Sequence, residues 1–400
     1  MTLPAPDRDA LSPLAYHRTV VDYLRKNEPE VWAWGAKRTT HAGQLDSLRA
    51  MLLRDTYRLE AEAHPEIHAI LANAMQQLAI SVPATLYQSS GHEMNAMLSY
   101  VPGEVHIIVQ GPLFERLTSD ELQAVFGHEL AHYLLWSLED GHFLIADRIF
   151  NDTLAAAGAS ASQRETYRRY MLHTELFADR GGAVAAGAVA PSVTSLVKVR
   201  TGIGTVDAAA YLRQAEEIEA QEQSKGNGSQ EYSHPETFIR ARALALWWDG
   251  ASDLDTWIAR RLHGKLMLEQ SDLPDQVRLQ ALTRGFLAYF LSEAALKSDA
   301  VLAQVRTMFP DWRSDEPAVS LQEFDAATVD DGVRAYLNAL MMDLAMIDPD
   351  VQELALLHAG RIAQDLGSFN ALLTNLRRDA GFGKRELDRY KRQLFKEGRA

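Results

Sequence analysis

Residues 128–132 read His-Glu-Leu-Ala-His, a His-Glu-x-x-His pattern. On a helix of 3.6 residues per turn, His128 and His132 stand about 400° apart, so both imidazoles leave one face a turn apart and can grip one metal ion. Glu129 lies about 100° further round from His128, beside the metal rather than on it, where a carboxylate can serve as general base toward water. A catalytic zinc takes three protein ligands and keeps one position open, so a third ligand is required. The position six residues past His132 is Leu138, and His142 lies beyond a glycine turn. Glu175 is the better candidate. Asp179 follows it by four residues, so the two carboxylates share one helix face. Glu175 would complete a triad with His128 and His132, while Asp179 would accept the second ring N–H of a liganding histidine and fix its tautomer. The expected cofactor is one Zn2+ per chain. The chain has no cysteine, which removes thiolate ligands, cysteine nucleophiles and disulfides together.

Several elements must position these groups. Thr118 and Glu121 have capping-box spacing, and acids in the first turn suit the helix dipole, so the motif helix should start there and run to about Leu138. Before it, 84–88, 96–101 and 104–110 read as short strands joined by Gly and Pro turns. Val105-His106-Ile107-Ile108-Val109 is apolar on both faces, and the spacing suggests it as the strand on which an extended substrate lies by β-addition. Helical periodicity covers about 14–77, including 45–59, and returns at 163–186 and 208–223. The acids of Glu216-Glu217-Ile218-Glu219 read as a solvated helix face or, with the Gly-Ser-rich loop 224–230 after them, as a lid.

These motifs resemble a known family, the gluzincin peptidases of the HtpX and CAAX prenyl protease type. Besides His128, Glu129 and His132, the resemblance rests on Glu175, Ala178 and Asp179 as Glu-x-x-Ala-Asp, on Glu121-Leu122 and Val125 leading into the motif, on Asn95-Ala96, and on His234-Pro235 with Arg240. It covers roughly residues 45–250. It implies a zincin-like catalytic domain, a metal triad of His128, His132 and Glu175, a base at Glu129, a transition-state role for His234, and substrate binding at Asn95 and Ala96. Arg240 is then a structural partner of Asp179 or a nearby carboxylate. The sequence departs from the family in having Met97 where an aromatic is usual and in lacking membrane segments, so prenylated substrates do not carry over. The stretch from Leu340 through Asp348-Pro349 to Gly367 is similar to the helical TerB-type module associated with tellurite resistance. Asp343, Asp348 and Glu353 are its metal-binding candidates, against the alternative of a plain Asp-Pro helix start.

The expected fold class is α+β and predominantly helical: a catalytic domain over 1–270 with a small sheet, and an all-α module over 271–400, with 262–269 assignable to either side. A net charge of −14 argues against general affinity for nucleic acid or an anionic membrane surface, unless the fold gathers a local basic patch. No run of about 18 apolar residues is present and the N-terminus lacks a signal-peptide pattern, so the expected location is cytoplasmic. Two functions stand. One is a zinc metalloendopeptidase acting on protein or peptide substrates, weakly active until a regulatory partner or removal of the module releases it. The other is a zinc-stabilised regulatory or binding protein with an idle peptidase site; an intact Glu129 favours the first.

Overall fold

A computed structural model describes residues 6–37, 42–156, 158–222, 229, 234–313 and 315–397. Most of the loop 224–230 expected from the sequence lies outside them. The chain divides into two compact units between Gly264 and Lys265, so 265–270 go with the second unit.

In the first unit, helices α1 (Ala15–Asn27), α2 (Pro29–Lys37) and α3 (Ala42–Asp55) precede strand β1 (Tyr57–Leu59), and α4 (Pro65–Gln77) leads to β2 (Ala84–Ser89), β3 (Asn95–Val101) and β4 (Glu104–Gln110). The helix expected over 45–59 therefore stops at Asp55. Thr56 returns its hydroxyl to Leu52 O, and the chain turns out into an extended segment that pairs antiparallel with β2. The sheet order is β1-β2-β4-β3, with β2 and β4 parallel and the outer pairs antiparallel. Val105, Ile107 and Val109 are fully buried on one face, and His106 and Ile108 are buried on the other, so β4 is covered on both faces. β4 is bonded on both sides and has no free edge, so the expectation that a substrate adds to 105–109 is wrong. Apolarity on both faces marked an interior strand. The open edge near the motif helix is β3.

Four helices complete the frame of the motif: α5 (Leu113–Arg116), α6 (Ser119–Ser137), α7 (His142–Ala155) and α8 (Ala161–Ala186). They are followed by α9 (Val189–Thr201), α10 (Ala208–Glu222), α11 (Thr237–Trp248) and α12 (Leu254–Leu262). The acids of α10 are more than a solvated face. Glu219 accepts from Trp257 Nε1 at 2.6 Å and lies 3.4 Å from both Arg242 and Arg261, tying α10 to α11 and α12.

The second unit is all-helical: α13 (Leu273–Phe290), α14 (Asp299–Met308), α15 (Asp331–Ala345), α16 (Gln352–Asp365), α17 (Phe369–Arg378) and α18 (Lys384–Glu397). Phe286, Phe290, Phe324, Leu337 and Met341 centre its core. Of the two readings of the Asp348-Pro349 turn, the metal-binding one finds no support, since among the described residues Asp343, Asp348 and Glu353 form no group that could hold an ion. Asp348 accepts from Asp350 N, and Glu353 accepts from Gln393 Nε2. Among the described residues, no helix is long and apolar enough to cross a membrane.

Candidate metal centre

Helix α6 starts as its sequence dictates. Thr118 Oγ1 accepts from Glu121 N, Glu121 Oε2 accepts from Thr118 N at 2.8 Å, and buried Lys198 of α9 donates to the same oxygen at 2.8 Å. α8 begins with a second capping box, Ser160 with Gln163, and ends at Gly187, whose φ of +70° suits glycine. The two helices cross where neither carries bulk. A Cβ on Gly127 would stand 2.3 Å from Ala185 Cβ, and one on Gly181 would stand 2.3 Å from Ala131 Cβ. This close approach brings Glu175 of α8 to the face of α6 that carries His128 and His132.

The donor atoms of His128, His132 and Glu175 lie within 4.8 Å of one another, the one such triad among the described residues. Nε2 of His128 is 3.4 Å from Glu175 Oε2, and Nε2 of His132 is 3.7 Å from Oε1. The other nitrogen of His128 donates to Asp179 Oδ1 at 3.1 Å. Arg240 of α11 donates to both oxygens of Asp179, at 2.6 and 2.8 Å. His234 stands at the mouth, 60% exposed, with Nδ1 3.0 Å from Glu175 Oε2. Glu175 Oε2 is buried and accepts no well-aligned hydrogen bond, although His234, His128 and Arg240 stand 3.0, 3.4 and 3.4 Å from it. A buried carboxylate oxygen whose cationic neighbours are close but not aligned to it is a position that a metal ion would fit. Two imidazole nitrogens and a carboxylate converging on one point suit a divalent transition metal.

The electrostatics fit the same use. Burial alone would lower His128, but its bonds to Asp179 and Glu175 outweigh that and raise it to about 10, so in the metal-free chain its second proton stands where a metal would bind. His132, with no such carboxylate bond, is lowered by burial to about 4 and is neutral. Burial opposes the ionisation of Glu175, yet His128, His234 and Arg240 hold it well below the usual carboxylate range. Glu129 is pushed by burial up to about 7, against the pull of His128, which matches a base to neutral pH. Its carboxylate accepts from the backbone N–H of Leu98 on β3. That N–H points away from β4, so the alternate backbone groups of β3 at Ala96, Leu98 and Tyr100 face the open edge. Asn95 and Ala96 start this strand, opposite Gln110 and Val109.

Other participants had no signal in the sequence. Trp136, one turn past His132, lies with ring centroids 5.9 Å from it and meets Tyr100 of β3 edge-on at 5.4 Å. Among the described residues, no other histidine joins the triad. His17 is buried against Thr174, and His173 pairs with His263 at 2.9 Å.

Comparison with known proteins points to the same stretch. Peptidase family M48 matches residues 61–142, which run from just before α4 through β2, β3, β4 and α6 to the first residue of α7. "Plastoglobule-localized metallopeptidase 48, chloroplastic" of Arabidopsis thaliana is 28% identical over 198 residues, covering 46% of this chain and 56% of that protein. The chain thus spans about half the length of this curated relative. No solved structure matches. The segment that carries His128, Glu129 and His132 is similar to that of metallopeptidases.

Proposed function

We propose that this chain is a zinc-dependent endopeptidase that hydrolyses peptide bonds in extended segments of protein substrates. The observation that carries the reading is the convergence of His128, His132 and the buried carboxylate of Glu175, with buried Glu129 alongside. Zinc held by these three residues would supply a Lewis acid that polarises the scissile carbonyl and acidifies water. Glu129 takes the proton from the attacking water and delivers it to the leaving amine. His234, exposed at the mouth, donates a hydrogen bond to the developing oxyanion, a type of contact worth about 3 kcal/mol. Asp179, held by Arg240, keeps His128 in the tautomer that presents Nε2. A substrate strand adds to the open edge of β3, starting at Asn95 and Ala96, with backbone bonds supplying affinity independent of side-chain sequence. In this reading the second unit is a TerB-like module that gates the site or recruits a protein partner, and the chain acts in the cytoplasm.

Metal analysis of purified chain tests the ligand set. The reading expects about one zinc per chain, lost in Glu175→Ala while the fold is kept. Zinc retained in full by that variant would remove Glu175 as a ligand.

A further inference from the structure

Charge is sorted within the second unit. Residues 265–376 carry eight Lys and Arg against seventeen Asp and Glu, whereas 377–400 carry nine against four. The fold then aligns the basic residues. α18 buries Tyr390 and Leu394, with Leu387 packed beside them, and Tyr390 Oη donates to Leu356 O at 2.7 Å. At about 100° per residue, Arg385, Arg389 and Arg392 fall within about 60° of one another, on the face opposite Leu394. All three are exposed, as are Arg377 and Lys384. Among the described residues none of these five has an ion-pair partner; Arg378 pairs with its neighbour Asp379, and Arg392 Nε donates only to the backbone of Asp388. Beside the row, Phe395 is 56% exposed, one of the most exposed large apolar side chains.

We propose that this face of α18 docks the chain reversibly onto an anionic lipid surface. A row of three guanidinium groups spread over about 10 Å of helix meets a plane of phosphate or carboxylate headgroups without bending either side. The exposed ring decides between polyanions. A bilayer interface accepts an aromatic ring next to basic groups, whereas the phosphate backbone of a nucleic acid rewards only the charge. The acidity of the chain as a whole does not forbid this, because at about 0.1 M salt charges more than about 10 Å from the headgroups are screened. The inference is independent of the peptidase reading, since it uses no residue of the metal centre.

Co-sedimentation of the full chain with vesicles tests it, using phosphatidylcholine alone and phosphatidylcholine mixed with phosphatidylglycerol, at about 0.1 M salt. Binding is expected to the mixed vesicles only, and raising the salt should release the unaltered chain. The triple variant Arg385→Gln, Arg389→Gln, Arg392→Gln should bind about fivefold more weakly per charge, on the order of 100-fold in total. Phe395→Ser should weaken binding severalfold with the charge intact. Because the three arginines are exposed and have no ion-pair partner among the described residues, the denaturation midpoint of the triple variant should stay put; the salt titration reads the same term with no substitution at all. Equal binding to neutral vesicles, no binding to anionic ones, an unaffected triple variant, or tighter binding to duplex DNA or RNA than to vesicles would each overturn the proposal.

Discussion

Replacing Arg240 by methionine keeps the length of the side chain and removes the guanidinium that grips Asp179. Asp179 is buried and Arg240 nearly so, with side-chain exposures of 3% and 12%, and the contact is two-pronged at 2.6 and 2.8 Å. On a surface such a pair would contribute about 0–1 kcal/mol. Here its loss leaves buried Asp179 with His128 as its remaining cationic partner, and takes from Glu175 a guanidinium 3.4 Å from its Oε2. Breaking a buried pair from one side typically costs about 3–5 kcal/mol. Denaturant unfolding of the parent, Arg240→Met, Asp179→Asn and the double variant gives the coupling directly. We expect Arg240→Met to cost about 3 kcal/mol or more and the double variant to cost clearly less than the sum of the singles. Zinc affinity should fall about 10- to 100-fold in Asp179→Asn, because the bond that orients His128 is weakened. Additivity within about 0.5 kcal/mol, or an Arg240→Met cost below about 1 kcal/mol, would refute the reasoning.

Burial, with Arg180 and Arg18 adding to it, lowers His17 to about 3; its Nδ1 accepts from Leu14 N, and Nε2–H donates to Thr174. An unfolded histidine titrates near 6.5, so between about 6.5 and 3 the unfolded chain binds the extra proton. The stabilisation is whole above about pH 6.5 and is lost as the pH falls, by up to about 1.4 kcal/mol per pH unit. Denaturation midpoints at falling pH should decline more steeply for the parent than for His17→Gln, and parallel declines would count against a neutral buried His17. Gly181→Ala should destabilise the first unit by about 1–3 kcal/mol and weaken metal binding, because a Cβ 2.3 Å from Ala131 Cβ forces α8, and Glu175 with it, away from α6. Unchanged stability and unchanged zinc affinity in that variant would show that the crossing has slack.

Local spacing carried much of the site. His128 and His132 at i and i+4, Glu175 and Asp179 at i and i+4, and the capping box at Thr118 depend on helix geometry alone, and the structure brings these side chains onto facing helices. The pairing of Arg240 with Asp179 came from the resemblance rather than from spacing. What depends on remote partners was not legible. A three-residue strand such as β1 exists only because β2 offers an edge, and helical periodicity up to Asp55 hid it. That β4 is interior and β3 an edge follows from sheet order, which alternation along one strand does not encode. The tie from Glu219 to Trp257 and Arg261 spans about forty residues, so the acids of α10 read as solvated. In the second unit, Asp348 and Glu353 look like ligands in a string, but each is occupied by a local or cross-helix hydrogen bond.

The most direct test of the central claim is hydrolysis of an unfolded protein such as casein by zinc-loaded parent and Glu129→Gln, with metal content measured on the same samples. Glu129 is not one of the three candidate ligands, so equal zinc is expected in both and cleavage by the parent alone. Equal cleavage by Glu129→Gln, or a zinc-loaded parent that cuts nothing, would contradict that claim.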